Sequence, residues 1–180
     1  MPHLQSLSVL LVDDNPHMCA ITTAVLYSFG IRNVLESHDG AKALALLDQH
    51  PVDIAIVDFN MAPMDGVAFT RHVRTSPASP NIYLPIIMMT GHSEKARVFE
   101  ARDAGVTEFL TKPIMAKTML DRISAVILKP RLFVQAETYT GPCRRRRDAE
   151  GYAGPFRRSG DVARSRAGVG FRLDEQAGLQ

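Results

Sequence analysis

LSVLLVDDNP, residues 7–16, decides the fold. Residues 7–12 form a short apolar run of Leu and Val that ends abruptly in two carboxylates, Asp13 and Asp14. A run this short, with no polar alternation, reads as a strand buried on both faces. Pro16 follows at the first turn of a helix, where its missing N–H costs nothing. Met18, Ile21, Val25 and Phe29 then recur at helical spacing, and Gly30 stops the helix. A buried strand, an acidic turn and a helix make the first unit of an α/β protein.

The unit repeats along the chain. NVLES (33–37) reads as a second strand, and Asp39-Gly40 opens a helix with Leu44 and Leu47 on one face. DIAIVDF (53–59) is the third strand; the loop NMAPMDG leads into a helix carrying Phe69 and Val73. SPASP (76–80) is a loop, and PIIMMT (85–90) is the fourth strand. Ser93 can cap the next helix, with Val98 and Ala101 on its inner face and Gly105 at its end. TEFL (107–110) is the fifth strand, and Leu120, Ile123 and Ile127 mark a last helix. Such alternation predicts one parallel sheet covered on both faces. Right-handed crossovers bring all strand C-terminal ends to one edge, where open α/β sheets bind ligands.

Residues 1–129 form this domain, and residues 130–180 form a basic, Gly/Pro/Arg-rich arm that reads as largely irregular. The division falls at Lys129-Pro130, because Pro ends the preceding helical pattern. The first part holds 11 Lys and Arg against 13 Asp and Glu; the arm holds 10 Arg against 6 acids. All eight Met lie before residue 130. In the arm, Tyr139-Thr140-Gly141-Pro142-Cys143-Arg144-Arg145 recurs as Tyr152-Ala153-Gly154-Pro155-Phe156-Arg157-Arg158. Three readings of the arm stay open: a solvated segment, a segment docked on acidic surface of its own domain or of a dimer partner, and non-specific binding of nucleic acid or an anionic surface through Arg144–Arg147. The arm has no helix-turn-helix pattern or zinc spacing, so an output domain of the usual DNA-binding kind is not expected and specific nucleic-acid recognition is disfavoured.

No apolar run is long enough to span a membrane. The start, MPHLQSLSVLLVDDN, lacks the basic region of a secretory signal and reads as cytoplasmic. Cys19 and Cys143 have no CxxC spacing; they fit a reducing compartment and give no zinc site. Cys19 reads as a small buried residue and His17 as a solvated one. Met88 and Met89 read as core packing.

Asp13, Asp14, Asp58, Thr90 and Lys112 all fall at the functional edge, although Asp13 and Lys112 are 99 positions apart. Three carboxylates suit Mg²⁺ or Mn²⁺, with Asp13, Asp14, Asp58 and the backbone carbonyl of Asn60 as the protein's share of ligands. Asp14 also reads as a helix cap. Asp58 is the candidate nucleophile, forming an acyl phosphate. A metal and Lys112 offset the repulsion between anions, and Thr90 adds a hydroxyl donor. Pro113 holds Lys112 extended, in a cis or a trans isomer.

The segments LLVDDN, IVDFNMAPMDG, IIMMTG and ARDAGVTEFLTKPI closely resemble the receiver domain of two-component response regulators, over roughly residues 7–128. The resemblance implies a flavodoxin-like, doubly wound five-stranded sheet in order 2-1-3-4-5 with five helices. It implies Asp58 as phosphoacceptor from a sensor histidine kinase or a histidine phosphotransfer protein, Lys112 and Thr90 as its catalytic partners, and Thr90 and Phe109 as a switch pair. Phe109 also has a plain packing reading, and Asn60 has a second role in tuning hydrolysis through its side chain. The implied output is a phosphorylation-dependent protein contact on the face of the fourth helix, fifth strand and fifth helix, with a homodimer as one form of it. GPxRR tails of this kind resemble those of some stand-alone receivers.

The chain thus reads as a stand-alone response regulator in a phosphorelay, a switch rather than an enzyme. Its alternatives are a phosphoryl shuttle or sink, or a nucleic-acid-associated regulator acting through the tail. A phosphohydrolase would place a second acid two residues after the nucleophile; Asn60 stands there instead.

Overall fold

Short apolar strands whose side chains alternate between two covered faces need helices on both sides, and the chain supplies them. The computed structural model describes residues 4–91, 97–136 and 138–143, and the backbone of residues 162–166. The strands β1 (Ser8–Val12), β2 (Asn33–Ser37), β3 (Ile54–Asp58), β4 (Ile86–Thr90) and β5 (Glu108–Thr111) are all parallel, in the order β2-β1-β3-β4-β5. The helices are α1 (Pro16–Ser28), α2 (Gly40–Gln49), α3 (Gly66–Thr75), α4 (Val98–Ala104) and α5 (Ala116–Leu128).

Alternation along the strands divides the core. Val9, Leu11, Ile56, Ile87 and Met89 face Cys19 and Leu26 of α1 and Met119, Ile123 and Ile127 of α5. Leu10, Val12, Ala55, Val57 and Ile86 face Ala43 and Leu47 of α2 and Phe69 and Val73 of α3. Met88 packs with Phe59, Val67 and the small residues Ala101 and Ala104 of α4, and Phe109 lies against this group.

Three expectations change. The inner face of α1 runs through Cys19, Thr22 and Leu26, and Ile21 is 52% exposed. Helical spacing holds for 19, 22 and 26, but Ile21 points off that stripe. The cap of α1 is Asn15, not Asp14: the Asn15 side chain accepts from the His17 N–H at 3.0 Å. Ser93 lies outside the described residues.

The arm is the third change. Residues read as irregular form β6 (Leu132–Ala136) and β7 (Tyr139–Pro142), an antiparallel hairpin, and β8 (Val162–Arg166) pairs on the other side of β6. Phe133 of β6 is buried, with its ring edge-on to Tyr83 at 4.9 Å and 5.1 Å from the Arg74 guanidinium. Arg131 donates to the Thr107 carbonyl at 3.0 Å and also bonds the Cys143 carbonyl. The hairpin is therefore ordered by contacts with the domain, which local sequence does not display. Residues 144–161, including the four-arginine run and the second repeat copy, lie outside the described residues.

Candidate functional site

The strand ends place the acidic side chains. Asp13 follows β1, is buried, and accepts from the Asn15 N–H at 2.9 Å, which turns the chain into α1. Its carbonyl meets Cys19 Sγ at 3.3 Å and His38 Nδ1 at 3.0 Å. Asp58 is the last residue of β3 and is 6% exposed. Asp14 is exposed at the mouth. Oxygens of Asp13, Asp14 and Asp58 lie within 4.8 Å of one another.

Lys112 closes the pocket from β5. Its N–H donates to the Thr90 carbonyl at 2.8 Å, carrying the β4–β5 pairing one residue past the strand. Its Nζ lies 2.8 Å from Asp58 Oδ1 and 3.3 Å from Asp13 Oδ2. The Lys112–Pro113 peptide is cis, as is Ala62–Pro63. Burial pushes the Asp58 carboxyl up from its ordinary range, and Lys112 opposes that shift. Burial by itself pulls the Lys112 ammonium down, but its bonds and attraction to Asp58, with a contribution from Asp13, outweigh it and hold Lys112 protonated. Both shifts have one origin: a crowded anionic site kept from water with one cation to neutralise it.

The loop after Asp58 is held tightly. Gly66 N–H donates to the Phe59 carbonyl at 3.1 Å, and Asp65 caps α3 through the Ala68 N–H at 2.8 Å. A Cβ on Gly66 would stand 2.3 Å from the Asp58 carbonyl oxygen, so only glycine lets α3 start this close to the end of β3. Asn60 is exposed on this loop, two residues past Asp58. Thr90 ends β4 and is buried; Phe109, on β5, is partly buried against the cluster of Phe59, Met88 and the α4 alanines. All the residues read as a site from sequence therefore share one edge, except Phe109, which lies deeper beside α4. His17 is exposed and Cys19 is buried, as expected.

Sequence reasoning missed Arg97. Its guanidinium lies 4.7 Å from the Phe59 ring and pairs with Asp65 at 3.1 Å and Glu100 at 3.3 Å, joining the loop after Asp58 to the start of α4. In sequence it is one more charge at a helix start.

The donor set fits a small divalent cation. Three carboxylates with one ammonium leave an excess of negative charge on hard oxygens. The nearby thiol, Cys19 Sγ, has its pKa pushed up to about 11, chiefly by burial, so it remains protonated.

An α/β sheet with three aspartates and a lysine at its C-terminal edge is a domain with an acidic, cation-ready pocket, and similarity to known proteins gives its family. Residues 9–124 match the family model described as the response regulator receiver domain, and the chain belongs to that family. The chain is 29% identical over 122 residues to chemotaxis protein CheY-3 of Vibrio cholerae, covering 68% of this chain and 92% of that protein. It is 31% identical over 120 residues to chemotaxis protein CheY of Pseudomonas aeruginosa, covering 67% and 95%. Among solved structures, Vibrio cholerae CheY4 superposes with a TM-score of 0.61 at 31% identity, covering 67% of this chain and 98% of that one. The receiver domain of a sensor histidine kinase from Pseudomonas aeruginosa superposes with a TM-score of 0.59 at 28% identity, covering 66% and 94%; that structure has magnesium coordinated in its active-site cleft. The stretch that matches the family model ends at residue 124, before the hairpin of β6 and β7.

Proposed function

We propose that the chain is a response regulator of a phosphorelay that accepts a phosphoryl group on Asp58 from a histidine kinase or a histidine phosphotransfer protein. One observation carries the reading: Lys112 Nζ bridges Asp58 Oδ1 and Asp13 Oδ2 at 2.8 and 3.3 Å, with Asp14 beside them. A lone pair on an Asp58 oxygen forms the new O–P bond while the N–P bond of the phosphohistidine breaks. The bonding electrons leave with the imidazole nitrogen, which is protonated as it departs. Lys112 pairs with the charge that accumulates on the transferred oxygens. Asp13, Asp14, Asp58 and the Asn60 carbonyl would hold Mg²⁺ or Mn²⁺, which when bound neutralises charge between the two anions. Thr90 at the end of β4 offers its hydroxyl to the new phosphoryl oxygens.

The output is a change in protein contact. Thr90 moving toward the phosphoryl group opens space beside Phe109, and Phe109 packs against the cluster that includes Ala101 and Ala104 of α4. The face of α4, β5 and α5 is then the one that differs between states, a shift in population of a two-state element. The partner is a protein or a second copy of the chain. Turnover of external substrates is not part of this reading, and the setting is the cytoplasm; among the described residues no helix is long and apolar enough to cross a membrane.

The test is intact-mass measurement after incubation with acetyl phosphate and Mg²⁺. A single phosphoryl adduct is expected on the native chain and none on Asp58→Ala. An adduct of equal yield on the variant would reject Asp58 as acceptor.

A further inference from the structure

The hairpin of β6 and β7 sits against the end of the sheet opposite the pocket. Its fastening is specific. Gly105 closes α4 in the left-handed region at φ 102°, and a Cβ there would stand 2.8 Å from the Thr140 carbonyl oxygen of β7. Gly141 crosses it: a Cβ on Gly141 would stand 2.8 Å from the Gly105 Cα. Two glycines thus allow backbone to meet backbone where β7 passes the end of α4.

Alongside, Arg74 at the end of α3 is 2% exposed. It donates to the carbonyls of Gly105 at 3.1 Å, Ile82 at 2.8 Å and Leu84 at 2.8 Å, and the Phe133 ring covers it at 5.1 Å. Arg131 adds its bond to the Thr107 carbonyl, at the start of β5. The hairpin therefore grips the ends of α3 and α4 and the start of β5 together.

A second connection reaches the pocket. Met88 packs with Ala101 and Ala104 of α4, Phe109 lies against the same cluster, and Gly105, which ends that short helix, is held by β7. Any displacement of α4 by Phe109 must move Gly105 against Thr140 and Gly141, or loosen that contact. We propose that the hairpin of residues 131–143 is a strap that restrains α4 in the unphosphorylated chain and loosens when Asp58 is phosphorylated. The second half of this proposal rests on the receiver reading above. Coupling is reciprocal: a strap weakened by substitution makes α4 easier to move and the phosphorylated state easier to reach.

The test is hydrogen exchange read by mass spectrometry on the full chain, in two arms. In the first, with no phosphoryl donor, Gly141→Val is compared with the native chain. Amides of residues 98–107 are expected to exchange about tenfold faster, with those of β1 and β3 unchanged. An opened hairpin with unchanged exchange in α4 overturns the restraint. Arg131→Gln, which keeps the glycine crossing and removes the guanidinium bonds to the Thr107 and Cys143 carbonyls, is the milder variant should Gly141→Val fail to fold; it is expected to move the same amides by a smaller factor.

In the second arm, acetyl phosphate and Mg²⁺ are added to the native chain. Exchange in residues 132–142 is expected to rise about fivefold in the phosphorylated fraction and to stay constant in Asp58→Ala. A phosphoryl mass shift without that rise overturns the release. Absence of any mass shift overturns the proposed phosphoryl acceptance on Asp58, and the restraint is then decided by the first arm.

Discussion

Removal of the Lys112 ammonium should affect metal binding and phosphoryl transfer in opposite directions. Nζ lies 2.8 Å from an Asp58 oxygen and 3.3 Å from an Asp13 oxygen, with Asp14 the third carboxylate of the group. At an effective dielectric of about 20, those two separations correspond to gross attractions of about 6 and about 5 kcal/mol. Desolvation of the ammonium cancels most of this, leaving on the order of 1–3 kcal/mol net. A divalent cation entering the native pocket works against that bound positive charge. Lys112→Ala leaves the three carboxylates without it, so Mg²⁺ is expected to bind about tenfold more tightly, equivalent to about 1.4 kcal/mol. The attacking carboxylate also loses the group that offsets repulsion from the incoming phosphoryl oxygens. Phosphorylation by acetyl phosphate is expected to slow by about 100-fold or more. Calorimetric titration with Mg²⁺ gives the first quantity and intact mass against time the second. A variant that binds Mg²⁺ more weakly would refute this reasoning. Lys112 would then act by arranging the carboxylates rather than by competing with the metal.

Other perturbations give separate readouts. Asp58→Asn removes a carboxyl that burial pushes up, so the native fold holds that proton more tightly than the unfolded chain does. The native chain therefore loses stability as pH rises from the unfolded carboxyl pKa, about 4, through the raised folded value. The variant should melt at a higher temperature than the native chain at pH 7, and the gap should close below about pH 4; a variant less stable at pH 7 would reject the sign. Gly66→Ala puts a methyl where only 2.3 Å is free to the Asp58 carbonyl oxygen, and a loss of about 2–4 kcal/mol in denaturant unfolding is expected, with weaker phosphorylation. An unchanged midpoint would count against the tight approach of α3 to β3. Arg74→Met leaves three carbonyls without their donor; burial, which lowers the Arg74 pKa to about 9, offsets part of that loss. A net destabilisation of about 2–4 kcal/mol is expected, and a variant as stable as the native chain would show that water replaces the guanidinium at no cost.

The pocket was legible in sequence because each functional side chain stands at the end of an apolar run. Topology then does the rest: parallel strands with right-handed crossovers must bring Asp13, Asp58, Thr90 and Lys112 to the same edge. The same logic explains what was not legible. Ile21 and Thr22 are neighbours on α1, and composition favours burying Ile; the helix instead follows Cys19, Thr22 and Leu26. Asn15 caps α1 where two preceding acids compete for attention. Arg74 reads as the polar end of an amphipathic helix, and its burial depends on carbonyls 8, 10 and 31 residues away. The strands of the arm are short, and Gly141-Pro142 signals a turn. Pairing with β6, together with the crossing at Gly105, makes a strand of Tyr139–Pro142.

The cis or trans state of Lys112–Pro113 was likewise open in sequence, and the chain adopts cis. Arg97 illustrates a further kind of illegibility. Its partners Phe59, Asp65 and Glu100 come from two elements, and no spacing in the chain announces their meeting.

The placement of the strap also bears on how such a domain can be cut and joined. Phe133 and Arg131 reach the domain at Arg74, at the end of α3, and at Thr107, before the start of β5, while Asp58, Thr90 and Lys112 stand at the opposite ends of the strands. A chain shortened after Lys129 would uncover an arginine that the full chain buries, so a minimal domain for phosphotransfer work should run to residue 143. A fused partner attached beyond that point leaves the sheet at its far pole and keeps the mouth of the pocket open to a donor.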